Sequence, residues 1–349
     1  MSNKKQFKSR IFFRVDGSRE LGLGHVVRAI NLAKELRKTL SPEILFFFKK
    51  NKLVEKMLKK SKFNYIALNN SRDPSKELSI CSKKDVFITD SPILSSLYLN
   101  KVKDKAGLLL SVYYSGKRMI YPVDIIVDPN LKRSKIDIAA GTKYYGGGRF
   151  AILGDEFVKL GGKKKVISPR VKKVLVCFGG SDPNDITLRV LKMLKTNEYS
   201  NLKIFIVAGP GYSGNERLKK EINGFRNITL LKAAPNLARL IKGMDLAILS
   251  GGILMHESSV LGVPSMIICH NSEQNTEAMA FHRHRIVYNL GLHNKVSDRR
   301  LKSIFDRLLK SAPMRKRLSK NANKYIDAYG VKRIAEIIKF RIKKMAEKP

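Results

Sequence analysis

The chain has no tryptophan, only three cysteines in 349 residues, and 29 acidic side chains against 69 Lys and Arg. Each shortage excludes something. Cys81, Cys177 and Cys269 are odd in number, far apart and in no C-x-x-C arrangement, so neither a disulfide framework nor a thiolate metal site is expected. Cys177 and Cys269 fall within apolar strand-like runs, where an unpaired cysteine serves as a small core residue. Apolar runs such as 44–48 and 266–269 are far shorter than the roughly 18 to 20 residues that span a bilayer. Residues 1–10 are polar and basic, without the apolar core and cleavage site of a secretory signal, which makes the cytoplasm the expected compartment. No D-x-D motif occurs, and His256, His270, His282, His284 and His293 form no metal set; His282-x-His284 on one helix would point to different faces. Neither a metal nor another cofactor is expected.

The deficit of acid leaves a formal charge of +40. The cations are scattered from Lys49-Lys50 to Lys343-Lys344, with no basic tail and no RNP-type motif. A general lysine bias explains this first, then attraction of anionic nucleotides or an anionic membrane; dedicated nucleic-acid binding comes last.

What is present is 43% hydrophobic residues in short runs, enough for two globular domains. Short β-branched or aromatic runs alternate with helical periods, the signature of βαβ units and mostly parallel sheets. Strands are read at 11–15, 44–48, 65–68, 86–89, 108–112 and 125–127, then afresh at 174–178, 204–207, 228–230, 246–249 and 266–269. Helices are read at 25–40, 53–60, 94–103, 186–194, 237–241, 254–261, 273–281 and 301–309. The basic, Pro-ended stretch 161–169 reads as a linker, giving a first domain over 1–165 and a second over 166–349. Two Rossmann-like domains facing across a cleft are expected, with chemistry in the loops that follow strands.

The first strand leads through Asp16-Gly17 and Gly22-Leu23-Gly24-His25 into a helix, where glycine amides can approach a phosphate or sugar. Val27 stands where G-x-G-x-x-G needs its third glycine, so a dinucleotide fingerprint is absent. His25 at the helix start is a capping or packing residue, or a proton acceptor. The second half offers Phe178-Gly179-Gly180-Ser181-Asp182-Pro183-Asn184, without the G-K-[ST] of a Walker loop. It also offers Ser250-Gly251-Gly252 with Glu257, and the polar run 269–275 with Gln274. Glu257 taken alone is a solvated helix carboxylate or an acceptor for ribose hydroxyls.

These motifs, with Arg28 and Leu261-Gly262-Val263-Pro264, resemble in order the PseG/SpsG group. That group joins a UDP-sugar hydrolase of pseudaminic acid synthesis to spore-coat-type predicted glycosyltransferases, of the GT-B fold and related to MurG. The resemblance implies an α/β protein of two Rossmann-like domains, with the nucleotide held by the second. It implies Gly179, Gly180, Ser181, Gly251 and Gly252 along the diphosphate, Glu257 at the ribose and Gln274 at the sugar or its phosphate. Asp16, Gly17, Gly22, Gly24 and Arg28 become substrate contacts of the first domain, and His25 matches the histidine that activates a water. The sequence departs from the group in Thr89-Asp90-Ser91-Pro92, where Asp-His-Tyr is usual, and in 111–115, where Ile-Asp-Asp-Leu is usual. Ile253 and Leu254 also replace the usual Ser or Thr.

The expected reaction is metal-independent cleavage of the anomeric C–O bond of a UDP-sugar by water, releasing UDP. The alternatives are transfer of the sugar to an acceptor, and a non-catalytic nucleotide-sugar or nucleic-acid binding protein. At the C-terminus, apolar positions from Val331 to Met345 recur at helical spacing beside Lys and Arg. A helix over about 331–347 is expected, either packed back on the first domain or touching an anionic membrane from the cytoplasmic side.

Overall fold

The computed structural model describes residues 10–70, 72–112, 120–131, 137–232, 234 and 236–347. The chain divides into two compact units, one of residues 1–152 with 329–349 and one of residues 153–328.

The strands of the first unit are β1 (Ile11–Val15), β2 (Ile44–Lys49), β3 (Asn64–Leu68), β4 (Val86–Asp90), β5 (Leu108–Val112), β6 (Ile120–Tyr121), β7 (Ile125–Asp128), β8 (Asp137–Ile138) and β9 (Lys143–Gly146). Seven form one parallel sheet in the order β3-β2-β1-β4-β5-β7-β9, and β6 pairs with β8 apart from it. Continuous apolar runs such as Ile11-Phe12-Phe13 are buried throughout, as a parallel sheet covered on both faces requires. The helix Gly24–Leu40 buries Val26, Ala29, Ile30, Ala33 and Leu36, spaced by three and four, and ends at Ser41 in the left-handed region. Against it packs the last helix, Gly330–Ala346, through Val331, Ile334, Ile338 and Ile342.

The second unit contributes β10 (Lys173–Cys177), β11 (Lys203–Val207), β12 (Ile228–Leu231), β13 (Leu246–Leu249), β14 (Ser265–Cys269) and β15 (Tyr288–Leu292). Their order, β12-β11-β10-β13-β14-β15, is again parallel. In both sheets the first strand lies between the second and the fourth, so the order reverses beside β1/β4 and β10/β13. Ligands of open parallel sheets bind at such switch points, outside the carboxyl ends of the strands.

The stretch 161–169, expected as the boundary, lies inside the second unit. Buried Arg315 donates to the carbonyls of Ser168 and Pro169 at 2.8 and 2.9 Å and to those of Leu308 and Leu309. Lys165 donates to the carbonyl of Lys242 at 2.6 Å. Carbonyl contacts made by cations thus hold a segment whose composition reads as loose; the division falls instead at 152/153 and again at 328/329.

Candidate functional site

In the first unit β1 and β4 are in register, Val15 opposite Asp90, which brings the loop after β1 beside the end of β4. His25 opens its helix there, 6% exposed, with Nδ1 2.6 Å from Asp90 Oδ1. Arg28, one turn on, donates to both carboxylate oxygens, at 2.7 and 3.0 Å, and lies 3.0 Å from the same Nδ1. Burial works against a charged Asp90, but Arg28 and His25 outweigh it and hold the carboxyl below its usual range. An ionised oxygen 2.6 Å from a ring nitrogen requires the proton on that nitrogen. Nδ1–H therefore donates to Asp90, and Nε2 is the ring nitrogen left to accept a proton. Asp90 was passed over as a site residue in the sequence; the available signal was a carboxylate ending a strand that follows a crossover.

Asp16, expected to contact substrate, is instead turned inward and 1% exposed. Oδ1 accepts from the Lys49 amide at 2.9 Å and Oδ2 from the Ser91 hydroxyl at 2.6 Å, with Arg14 at 2.8 Å. Its carboxylate ties the ends of β1 and β2 to the turn after β4. Gly17 is buried beside Val26, Gly22 is half-buried at the end of the loop that Ser18 and Gly22 close by a bridge, and Gly24 is the first residue of the helix. Of the divergent segment 111–115, Ser111 and Val112 end β5, whereas 113–115 lie outside the described residues.

In the second unit Cys177 and Leu249 are paired, so the turns Gly179-Gly180 and Ser250-Gly251-Gly252 leave the sheet side by side. The Gly180 carbonyl accepts from the Gly211 amide at 2.7 Å. A Cβ on Gly209 would stand 2.3 Å from the Gly179 carbonyl oxygen, so the Gly209-Pro210-Gly211 turn seats the di-glycine turn by close backbone approach. Sequence reasoning missed that turn. Ser181 is buried, and Asp182 beside it caps the helix Ile186–Leu194 by accepting from the amides of Ile186 and Thr187 at 3.0 and 2.8 Å.

Glu257 is no solvated helix carboxylate: it is 4% exposed, and its buried Oε2 has no hydrogen-bond partner among the described residues. Burial, with a smaller contribution from Glu156, pushes its carboxyl up to about 8. Gln274 lies against the same turn, since a Cβ on Gly251 would meet Gln274 Cβ at 2.9 Å; its Oε1 accepts from the His270 amide at 3.0 Å. His270 donates from Nε2 to the Phe178 carbonyl at 3.0 Å, linking this loop to the end of β10. The structure therefore gathers Gly179, Gly180, Gly251, Gly252, Glu257 and Gln274 at one switch point. His256 is engaged elsewhere, 2.6 Å from Glu277.

Two parallel sheets of this order, each with its loops at a switch point, define a GT-B protein. Acinetobacter baumannii MurG has this fold, with a TM-score of 0.60 at 14% identity, covering 95% of this chain and 99% of that one. So does Anabaena HepE, solved with UDP-glucose, with a TM-score of 0.56 at 12% identity over 94% and 99%. No family model matches the chain. An uncharacterised protein of Methanocaldococcus jannaschii is 32% identical over 277 residues, 76% of this chain, which spans only 56% of that protein's length. The spore coat polysaccharide biosynthesis protein SpsG of Bacillus subtilis is 26% identical over 93% of this chain and 96% of its own. The UDP-2,4-diacetamido-2,4,6-trideoxy-beta-L-altropyranose hydrolase of Campylobacter jejuni is 23% identical over 77% and 94%. In sequence the chain is similar to the SpsG and PseG type of protein, and its fold is that of the MurG-related GT-B proteins.

Proposed function

We propose that this chain cleaves the anomeric C–O bond of a UDP-sugar in surface-glycan or nonulosonic acid biosynthesis, with water as nucleophile and UDP as leaving group. The observation that carries the reading is the Arg28–Asp90–His25 array at the first switch point. His25 Nε2 takes the proton of the attacking water as its oxygen bonds to the anomeric carbon. Asp90 holds Nδ1–H and stabilises the imidazolium that forms, and Arg28 keeps Asp90 ionised. The bond from that carbon to the β-phosphate oxygen breaks, and its electron pair leaves with UDP.

The second unit binds the nucleotide in this reading. Amides of Gly179, Gly180, Gly251 and Gly252 face the diphosphate and stabilise the charge that develops there without a metal. Glu257 receives the ribose hydroxyls, which supply the hydrogen bond its buried oxygen lacks, and Gln274 contacts the sugar or its phosphate. UDP and UDP-glucose in the HepE structure, and the UDP-sugar in the name of the Campylobacter relative, support the substrate class. Retention of the aspartate in Thr89-Asp90-Ser91-Pro92 supports catalysis over passive binding, since Asp90 is the part of that loop that meets His25.

Incubation with a panel of UDP-sugars, following UDP release with and without added hydroxyl acceptors, tests this. UDP release by the full chain alone, lost in His25→Ala, is the expected result. Release only with an acceptor would make the chain a transferase using the same base. Tight UDP-sugar binding with no release under either condition would make it a binding protein.

A further inference from the structure

The C-terminal helix meets the first unit with its apolar side, so Ile334, Ile338 and Ile342 are not available to lipid. Its opposite side is unusual in another way. Tyr329 and Phe340, three helical turns apart on the outward face, are 44% and 55% exposed. Cations border both: Lys332 lies over the Tyr329 ring at 5.7 Å and Lys344 over the Phe340 ring at 4.8 Å. Lys339 and Lys343 are exposed along the same side, and the one carboxylate among them, Glu336, lies 3.7 Å from Lys339 Nζ, which leaves the face with an excess of cations. Half-buried Ile337, Tyr145 and Phe150 continue the apolar surface beside Tyr329 in a shallow open depression.

We propose that this face is a peripheral docking surface for an anionic lipid bilayer. Aromatic rings at the level of the headgroups, ringed by lysines that meet phosphates, combine apolar and electrostatic attraction at one patch. A net charge of +40 adds long-range attraction to the same partner. The aliphatic surface of Ile337 between the rings favours a bilayer over single-stranded nucleic acid, which calls for rings and cations alone. Contact is superficial, since among the described residues no helix is long and apolar enough to cross a membrane.

The absence of tryptophan from the chain makes a position-specific test available. In full-length Phe340→Trp, the single indole reports on this face alone, and Leu97→Trp, at a position 66% exposed in the same unit, is the control. With phosphatidylglycerol vesicles the emission of Phe340→Trp moves to shorter wavelength and resists iodide quenching, that of Leu97→Trp does not change, and neither responds to phosphatidylcholine vesicles. Lys343→Gln with Lys344→Gln weakens sedimentation with anionic vesicles about 30-fold, at about 1 kcal/mol per cation near the surface and tenfold per 1.4 kcal/mol. Lys316→Gln with Lys320→Gln, exposed on the helix Ala312–Tyr325, has no such effect. Equal losses in both pairs, or no protection of the indole at 340, would reduce the attraction to diffuse charge and overturn the proposal. Protection by single-stranded DNA but not by vesicles would overturn it in favour of nucleic acid.

Discussion

Asp90 and His25 are 65 positions apart, and the chemistry proposed for the first switch point rests on their 2.6 Å contact. His25→Ala should leave UDP affinity nearly intact while turnover falls by about 10²- to 10⁴-fold, the range for loss of a general base. Asp90→Asn should fall in the same range, and the double variant should be little worse than either single change, because the two act as one unit. Steady-state rates with calorimetry of UDP binding check both; additive losses would separate the residues. Glu257 makes a different prediction, in stability. Its folded carboxyl titrates near 8 against an ordinary 4.5, so it favours the fold fully only below the unfolded value. That contribution is lost as pH rises from about 4.5 through 8. Melting curves from pH 5 to 9 should show wild type losing more stability over this window than Glu257→Gln. Parallel curves would mean the carboxyl is hydrated in solution.

The helices that carry these residues are fastened in distinct ways. Asn51, Ser95, Asn236, Asn271, Ser297 and Ser311 each cap a helix by accepting from its first-turn amides. The helix Gly24–Leu40, which begins with His25's turn, relies instead on burial against the last helix. Ile338→Ala, at a fully buried position of that contact, should cost about 2 to 5 kcal/mol by denaturant titration. At the second switch point, Gly251→Ala drives a methyl to 2.9 Å from Gln274 Cβ and must displace the helix Ser272–Arg283 or its own turn. UDP binding should weaken while the fold persists, measured by calorimetry beside circular dichroism. Unchanged affinity would remove this turn from the nucleotide site.

Over the molecule as a whole, 69 cationic side chains against 29 acidic ones make self-repulsion the prevailing electrostatic feature. Raising salt from about 0.01 to 0.1 M shortens the screening length from about 30 to 10 Å. The melting temperature should rise over that range; a fall would mean that ion pairs such as Arg14–Asp16 outweigh the repulsion. Much of the architecture was legible before any coordinates. Continuous apolar runs marked β1, β5, β10 and β13, because a strand buried on both faces carries apolar residues at consecutive rather than alternate positions. Glycine pairs after β10 and β13 marked the turns proposed to hold the nucleotide, because only a backbone without Cβ permits such close approach. Four strands escaped: β15 carries Asn289 and Gly291, β9 carries only half-buried tyrosines between exposed ends, and β6 and β8 are two residues each, too short to show a pattern. The helix Asn215–Ile222 buries a single residue, Leu218, too little to print a period. Local pattern records which side of a segment is buried, and so it anticipated the elements and the loops between them. It does not record the partner. That Arg315 would secure 168–169, that Asp16 would turn inward and that Asp90 would meet His25 depended on packing between segments far apart in the chain, where each polar group found the partner its burial demanded.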